Sequence, residues 1–347
     1  MSAPHDAGGM LTTDSPPSLT GRIRLRDAAR TNVPLRGKAA YFSLLRSRGV
    51  HHLYYRGGGG SHSFTLHRKS VDGVTFGKAR EILSASYACH NLHVFENGGR
   101  VRAIGGQFHP SGAFPHGDGL HQFDMPRHGL IKDGPLIVSP AHDGFVDATT
   151  LWGKESEFDG HLSCVPLDGA GRWALFLRAN PERGVRKVQF AVSAPASETD
   201  GLLRFGRFEP VRIDDAGLAP GDYYYPAVSR VDDRLIGFFP FFTADYCSIR
   251  VLSSFDGRDW TAIDDLFPST PWRNELGDPK NSHHPVNGVI DEGDHVLFYV
   301  HHNYYRLGGA SAPFLTRYAI DKADLMQGAV QTSADGANAG CDAAASA

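Results

Sequence analysis

A short turn that occurs twice limits what this chain can become. Ser70-Val71-Asp72-Gly73-Val74-Thr75-Phe76 and Ser254-Phe255-Asp256-Gly257-Arg258-Asp259-Trp260 share the form Ser-x-Asp-Gly-x-x-aromatic. Alternating, strand-like residues precede each copy (Phe64 to Lys69; Ile249 to Ser253), and a second short strand follows (Ala79 to Leu83; Thr261 to Ile263). Asp-Gly between two strands marks a hairpin, because glycine takes positive φ without steric cost and aspartate hydrogen-bonds its own turn. Two copies this far apart imply a repeated structural unit.

The unit can be followed along the chain. Gly119 to Phe123, Lys187 to Ser193 and Leu315 to Ile320 read like the strand before the turn. Neighbours in this series lie about 55–70 residues apart, near the ~40–50 of common propeller blades plus insertions. Upstream of each lies a pair of apolar strands: Ala40-Leu45 with His52-Arg56, Leu92-Glu96 with Val101-Gly105, and Leu162-Pro166 with Trp173-Arg178. Ala227-Val231 with Leu235-Phe241 and Val286-Ile290 with His295-His301 complete the set. The turns between them are rich in Asp, Asn and Gly, as hairpins require. Five units of roughly four strands predict an all-β protein, a five-bladed β-propeller in a single domain. A two-sheet sandwich is the competing arrangement, and the in-phase recurrence of the unit argues against it.

Composition agrees. Forty glycines and 21 prolines in 347 residues suit many short strands, and no sustained i, i+3, i+4 apolar pattern predicts a long helix. A net charge of −3, a pI near 6.6 and the lack of a basic stripe argue against nucleic acid as a partner. No apolar run approaches the ~18 residues of a membrane span, so no membrane partner is expected. Residues 1–20 show neither a strand pattern nor a signal peptide, and 328–347 are almost all Ala, Gly, Ser, Asp and Asn. Both are expected to be disordered tails around a domain at 21–327. Cys89, Cys164, Cys247 and Cys341 have no short spacing; Cys164 and Cys247 sit in apolar runs and read as buried thiols. A reducing, cytoplasmic location is therefore expected.

In a propeller the innermost strands line a central channel, and the loops leading into them ring its mouth. Those loops carry Cys89-His90-Asn91, Glu155 to His161, Gly221 to Pro226 and Asn281 to Pro285. The segment Arg22 to Arg36 precedes the first inner strand. Carboxylates, histidines, tyrosines and an asparagine would converge on one face. Aromatic faces stack on pyranose C–H surfaces while acids and amides grip hydroxyls, so a carbohydrate is the expected substrate or ligand.

These residues resemble the five-bladed propeller glycoside hydrolases, the clan of arabinanases, xylosidases and invertase-like enzymes. The resemblance rests on the repeated Ser-x-Asp-Gly-x-x-aromatic turn and on Glu157-Phe158-Asp159-Gly160-His161 leading to Gly171-Arg172-Trp173-Ala174-Leu175-Phe176-Leu177-Arg178. It continues through Arg183 to Ser193, then Ile213-Asp214-Asp215 with Gly221-Asp222-Tyr223-Tyr224, and covers about residues 40–325. The Asn-Asp-Pro, Arg-Asp-Pro and Glu-Cys signatures of the invertase-type members are absent. The resemblance implies glycoside hydrolysis by paired acids, with a non-catalytic glycan-binding propeller as the alternative. A propeller serving some other small-molecule or protein interaction is a third possibility, because fold does not determine function.

Such chemistry needs one protonated acid for the leaving oxygen and one ionised carboxylate for water or the anomeric carbon. Asp159, Asp222 and Glu157 are the catalytic candidates, each with a plain reading as a turn acid. His90, Asn91, His161, Tyr224, Arg178, His283 and His284 are the substrate-binding candidates; Arg178 could equally hold an internal ion pair. His51-His52, His283-His284 and His301-His302 invite a metal reading. Adjacent strand residues point to opposite faces, so no metal is expected, and no cofactor.

Overall fold

The computed structural model describes residues 18–35, 39–57, 64–83, 91–107, 119–125, 131, 134–146, 161–182, 185–195, 201–273, 279–280, 282–304 and 312–327. Besides a two-stranded ribbon, their strands form five larger sheets, each stepping outward from an inner strand and antiparallel except where Arg212–Asp214 runs parallel along the outer strand of blade 4. Blade 1 is Ala40–Ser47, Val50–Gly57, Phe64–Ser70 and Arg80–Leu83. Blade 2 is His93–Asn97, Arg100–Gln107, Gly119–Asp124 and Leu136–Val138. Blade 3 is Ser163–Pro166, Trp173–Glu182, Val185–Val192 and Glu209–Pro210. Blade 4 is Ala227–Val231, Arg234–Phe242, Cys247–Ser254 and Asp259–Ser269, and blade 5 is built on His295–His302 and Phe314–Asp321. This is the expected five-bladed β-propeller, with the strand pairs in the expected order.

Second strands such as Leu235-Ile236-Gly237-Phe238-Phe239 are apolar without alternation because both of their faces are covered. Five apolar clusters result, each lying between two blades. Phe238 and Ile249 meet Phe298 and Val300 across blades 4 and 5. On the opposite face of the same blade-4 sheet, Phe239 and Trp260 meet Phe176 and Phe190 of blade 3.

The two matching turns join third to fourth strands and carry matching hydrogen bonds. Gly73 N–H donates to Ser70 Oγ at 2.9 Å, and Gly257 N–H to Ser254 Oγ at 2.8 Å. Asp72 accepts from the N–H groups of Val74 and Thr75, as Asp256 does from Arg258 and Asp259. The backbone N–H of Thr75 above all, then that of Val74, hold the Asp72 carboxyl well below the usual range. The closing aromatics seat against the preceding blade: Phe76 packs edge-on to Tyr299, and Trp260 edge-on to Phe176.

Ring closure departs from the sequence reading in two places. Arg22 to Arg36 does not lead directly to the channel mouth. Its strand Leu25–Arg30 pairs with Phe314–Asp321 and becomes the outer strand of blade 5. An edge strand with exposed side chains alternates weakly, which is why its pattern did not mark it as sheet. The chain also packs earlier than residue 21. Ser18 donates to Asp264, and Thr20 and Ile23 give it their N–H groups at 3.0 Å.

The second departure is the blade 5 inner strand, expected as Val286-Ile290. It splits into His283–Pro285 and Ile290–Asp291, both paired with His295–His302. Between them Asn287 leaves its own sheet for blade 1: its N–H donates to Phe42 O at 2.9 Å and its carbonyl accepts from Leu44 N–H at 2.7 Å. Gly288 follows at φ 97°, where a Cβ would collide with the Leu44 carbonyl.

A circuit of hydrogen bonds then links all five inner strands. Ser43 Oγ accepts Val94 N–H at 3.0 Å, His93 Nε2 meets Cys164 O at 3.0 Å, and Ser163 Oγ accepts Val228 N–H at 2.9 Å. Ser229 Oγ accepts Val289 N–H at 3.1 Å, and Asn287 returns to blade 1. The Asn287 side chain crosses the middle of this ring. Its Nδ2 lies 2.7 Å from His93 Nδ1 and also donates to Leu162 O, while Oδ1 accepts from Ser163 Oγ at 2.8 Å. Because Nδ2 is a donor, His93 Nδ1 accepts and Nε2 carries the proton toward Cys164 O.

Replacing Asn287 by leucine keeps the bulk and removes three buried hydrogen bonds. At ~1–3 kcal/mol for each group left unsatisfied, the loss in urea unfolding should exceed ~2 kcal/mol. An unchanged unfolding midpoint would contradict this role.

Candidate functional site at the channel mouth

Local breaks in the inner strands aim side chains into the channel mouth. In blade 4, Asp222–Tyr223 pairs with Phe242 and Phe241, and Ala227–Val231 resumes opposite Phe238. Pro240 stands in the gap, where it has no N–H to offer and only accepts from Tyr224 N–H at 2.8 Å. Tyr225 and Pro226 are thereby released from the ladder, and Tyr224 keeps only the one bond. In blade 1, the ladder shifts between Ala40 and Ser43, and Tyr41 takes a left-handed φ of 54°. A bulky residue there costs roughly 1–3 kcal/mol, a strain often stored at functional sites.

These breaks assemble a continuous set of rings from four blades. Tyr41 lies 5.3 Å from His161, which lies 4.5 Å from Tyr225. The Tyr225 hydroxyl is 2.6 Å from His284 Nδ1. His284 stacks on Tyr304 at 4.0 Å and 8°, and Tyr304 stands edge-on to His301. Tyr224, half-buried, touches Tyr225 and His284. Three guanidinium groups join the rings: Arg56 lies 4.7 Å from the Tyr41 centroid, and Arg178 and Arg186 lie 5.4 and 5.2 Å from that of Tyr224. Cation–π attraction favours an arginine at this distance from a ring face.

The charge states follow from burial. Tyr225 is pushed well above the ordinary phenol value by burial and keeps its proton. His301 is pushed down to about 3, by burial first and then by His283, and stays neutral. Among the described residues its ring nitrogens have no hydrogen-bond partner. The mouth thus offers imidazole and phenol groups for hydroxyls, ring faces for apolar sugar surfaces, and arginines for anions or oxygen acceptors.

The expected site residues separate. His161, Tyr224, Arg178 and His284 come together in the cluster. His283 turns the opposite way, as strand alternation requires. Its Nδ1 is 2.9 Å from His302 Nδ1, and its ring lies 5.6 Å from Phe267 at the blade 4–5 boundary. Asn91 is buried and accepts Gly106 N–H at 2.8 Å, which ties it to the second strand of its own blade. Asp222 lies in a groove beside the mouth, accepting Arg186 N–H at 3.4 Å with Lys187 Nζ at 3.9 Å. Burial raises its carboxyl above the usual value, opposed by Arg186 and Lys187. Asp159, Glu157 and His90 lie outside the described residues. Among the described residues no His, Cys, Asp and Glu cluster could hold a metal ion.

Sequence reasoning missed Tyr41, Arg56, Arg186, Tyr225, His301 and Tyr304 as parts of the mouth. Tyr225 was within reach, since Pro226 and Pro240 both interrupt a ladder. The Tyr41 bulge left no comparable mark.

Neither a family model nor a curated protein sequence matches the chain. Solved structures do. An N-acetylgalactosamine deacetylase from F. plautii, in complex with blood group B trisaccharide, matches with TM-score 0.55 and 12% identity over 88% of this chain and 97% of that one. The fold is the same five-bladed propeller. A GH43_1 enzyme from Xanthomonas citri matches with TM-score 0.54 and 11% identity, over 82% and 88% of the two chains. A β-1,2-mannobiose phosphorylase from Listeria innocua, in complex with β-1,2-mannobiose, matches with TM-score 0.53 and 11% identity, over 87% and 99%. At such identity the likeness establishes the propeller architecture alone.

The buried histidines make stability depend on pH. Burial holds His93 down to about 4, His67 down to about 3 and His301 down to about 3, against 6.5 when unfolded. A depressed folded-state pKa means the unfolded chain binds more protons, so this stability is complete above pH 6.5 and lost as pH falls toward 4. Each histidine contributes up to ~1.4 kcal/mol per pH unit across that window. Melting temperature should therefore drop between pH 7 and 5, above the range where carboxylates titrate. A flat profile there would refute the neutral buried histidines.

Proposed function

We propose that this propeller is a glycan-processing enzyme, a glycoside hydrolase whose glycosidic bond is placed at the channel mouth. The observation that carries the reading is the ring of Tyr41, His161, Tyr224, Tyr225 and His284, gathered from four blades at the starts of the inner strands, with Tyr304 added from beyond the second strand of blade 5. Such a surface suits a sugar, with π faces for C–H groups and polar edges for hydroxyls. The fold's solved neighbours include proteins described as a deacetylase, a phosphorylase and a GH43_1 enzyme, two of them with bound saccharides, which supports a carbohydrate substrate.

In this reading Asp159 is the catalytic carboxylate. It precedes His161 by two residues, and covalent geometry limits that separation to about 7 Å between Cα atoms. Asp222 is the partner acid. Its raised pKa, caused first by burial, suits a group that must hold a proton for a leaving oxygen. Glu157 is the alternative partner. A carboxyl separation of ~5–5.5 Å would give retention, and ~6.5–9.5 Å inversion.

A second reading, glycan binding without turnover, is favoured by one observation. Among the described residues, the ring cluster itself contains histidines, tyrosines and arginines and no carboxylate. A panel of aryl glycosides and oligosaccharides separates the two. Turnover that falls at least ~100-fold in Asp159→Asn, with the melting temperature unchanged, supports hydrolysis. Binding without turnover in the wild type supports the second reading. Near-normal turnover in a folded Asp159→Asn variant removes Asp159 from the mechanism.

A further inference from the structure

A groove of about 900 Å³ runs between blades 3 and 4, lined among others by Arg186, Lys187, Asp215, Asp222, Tyr223 and Phe242. Arg186 joins it to the mouth. The residue is 8% exposed, and its guanidinium lies 5.2 Å from the Tyr224 centroid and 5.9 Å from that of Phe242. Among the described residues that guanidinium makes no hydrogen bond and no close ion pair; its charge acts on the nearby Asp222 carboxyl, and its backbone N–H donates to the same group at 3.4 Å.

The other charges facing the groove are already engaged. Asp215 is bound by Arg250 at 2.6 Å and by the Tyr223 hydroxyl at 2.6 Å. Arg250 is itself bidentate to buried Asp265. Asp222 faces Lys187 at 3.9 Å. That leaves Arg186, a largely buried cation in contact with two aromatic rings and with no hydrogen-bond acceptor for its guanidinium among the described residues. A guanidinium is a planar fork that binds a planar or tetrahedral oxyanion through two parallel hydrogen bonds.

We propose that the blade 3–4 groove is a subsite for an anionic sugar residue, and that Arg186 binds its carboxylate or sulfate ester. The inference rests on the carbohydrate reading of the mouth and names the class of glycan. Arg186, which lines the groove and touches Tyr224 of the mouth, places the charged residue next to the one held by the ring cluster.

Binding calorimetry with three matched ligands tests this: a uronic-acid oligosaccharide, its methyl ester, and a sulfated neutral oligosaccharide. The expected result is at least a ~10-fold tighter Kd for an anionic ligand than for the ester, narrowing as salt is raised. Tighter binding of the uronate identifies a carboxylate, and tighter binding of the sulfated ligand a sulfate ester. In Arg186→Gln the anion-to-ester ratio should fall to near one, and Arg186→Lys should restore part of it. Equal or tighter binding of the methyl ester by the wild type overturns the subsite whether or not the variants fold. A ratio that persists in folded Arg186→Gln overturns the role of Arg186. Binding of none of the three overturns the carbohydrate reading as well, whereas ester binding without anion preference overturns the subsite alone.

Discussion

The Asn287 side chain bridges three blades at a place where no sheet hydrogen bond can reach. Its backbone pairs with blade 1, and its amide meets His93 of blade 2 and Leu162 and Ser163 of blade 3. Apolar packing between blades is strong but does not fix direction, so it tolerates sliding of one sheet over the next. Hydrogen bonds with buried partners do not tolerate it, because each displaced group would be left unsatisfied. The circuit through Ser43, His93, Ser163, Ser229 and Asn287 therefore sets the register of the five inner strands relative to one another.

That register determines the mouth. Tyr41 lies two residues before Ser43, His161 two before Ser163, and Tyr225 two before Ala227. The bulge at Tyr41 and the break before Ala227 then aim these side chains into the mouth, a short step along the chain from the hydrogen-bond circuit. The same arrangement explains why histidines are so frequent in the interior. An imidazole can serve as donor and acceptor at once, as His93 does between Asn287 and Cys164, provided burial keeps it neutral.

Much of the architecture was legible in the sequence because it depends on local chemistry. Asp72-Gly73 and Asp256-Gly257 make the same turn for the same reasons, and their aromatic residues mark where one blade meets the preceding one. The closure of the ring was less legible. Leu25–Arg30 is an edge strand whose exposed residues carry little pattern, and its partner lies at the far end of the chain. The break at Asn287 depends on a neighbour in another blade. Site residues followed the same division. His284 and Tyr224 were recognisable from their place before inner strands, while Arg56 and Arg186 reach the mouth from second and third strands. His283 was drawn in with His284 by proximity, although strand parity sends the two apart. The carboxylates proposed for catalysis, Asp159 and Glu157, lie outside the described residues.

The central claim is that the mouth bounded by Tyr41, Tyr224, His284 and Tyr304 is where a sugar binds. A crystal structure of the protein with a bound oligosaccharide tests it most directly. The account predicts a sugar ring stacked on Tyr224 or Tyr304, with hydroxyl groups within hydrogen-bond distance of His161 or His284. A saccharide seated at the opposite end of the channel, or on the outer faces of the blades with the mouth empty, would contradict it.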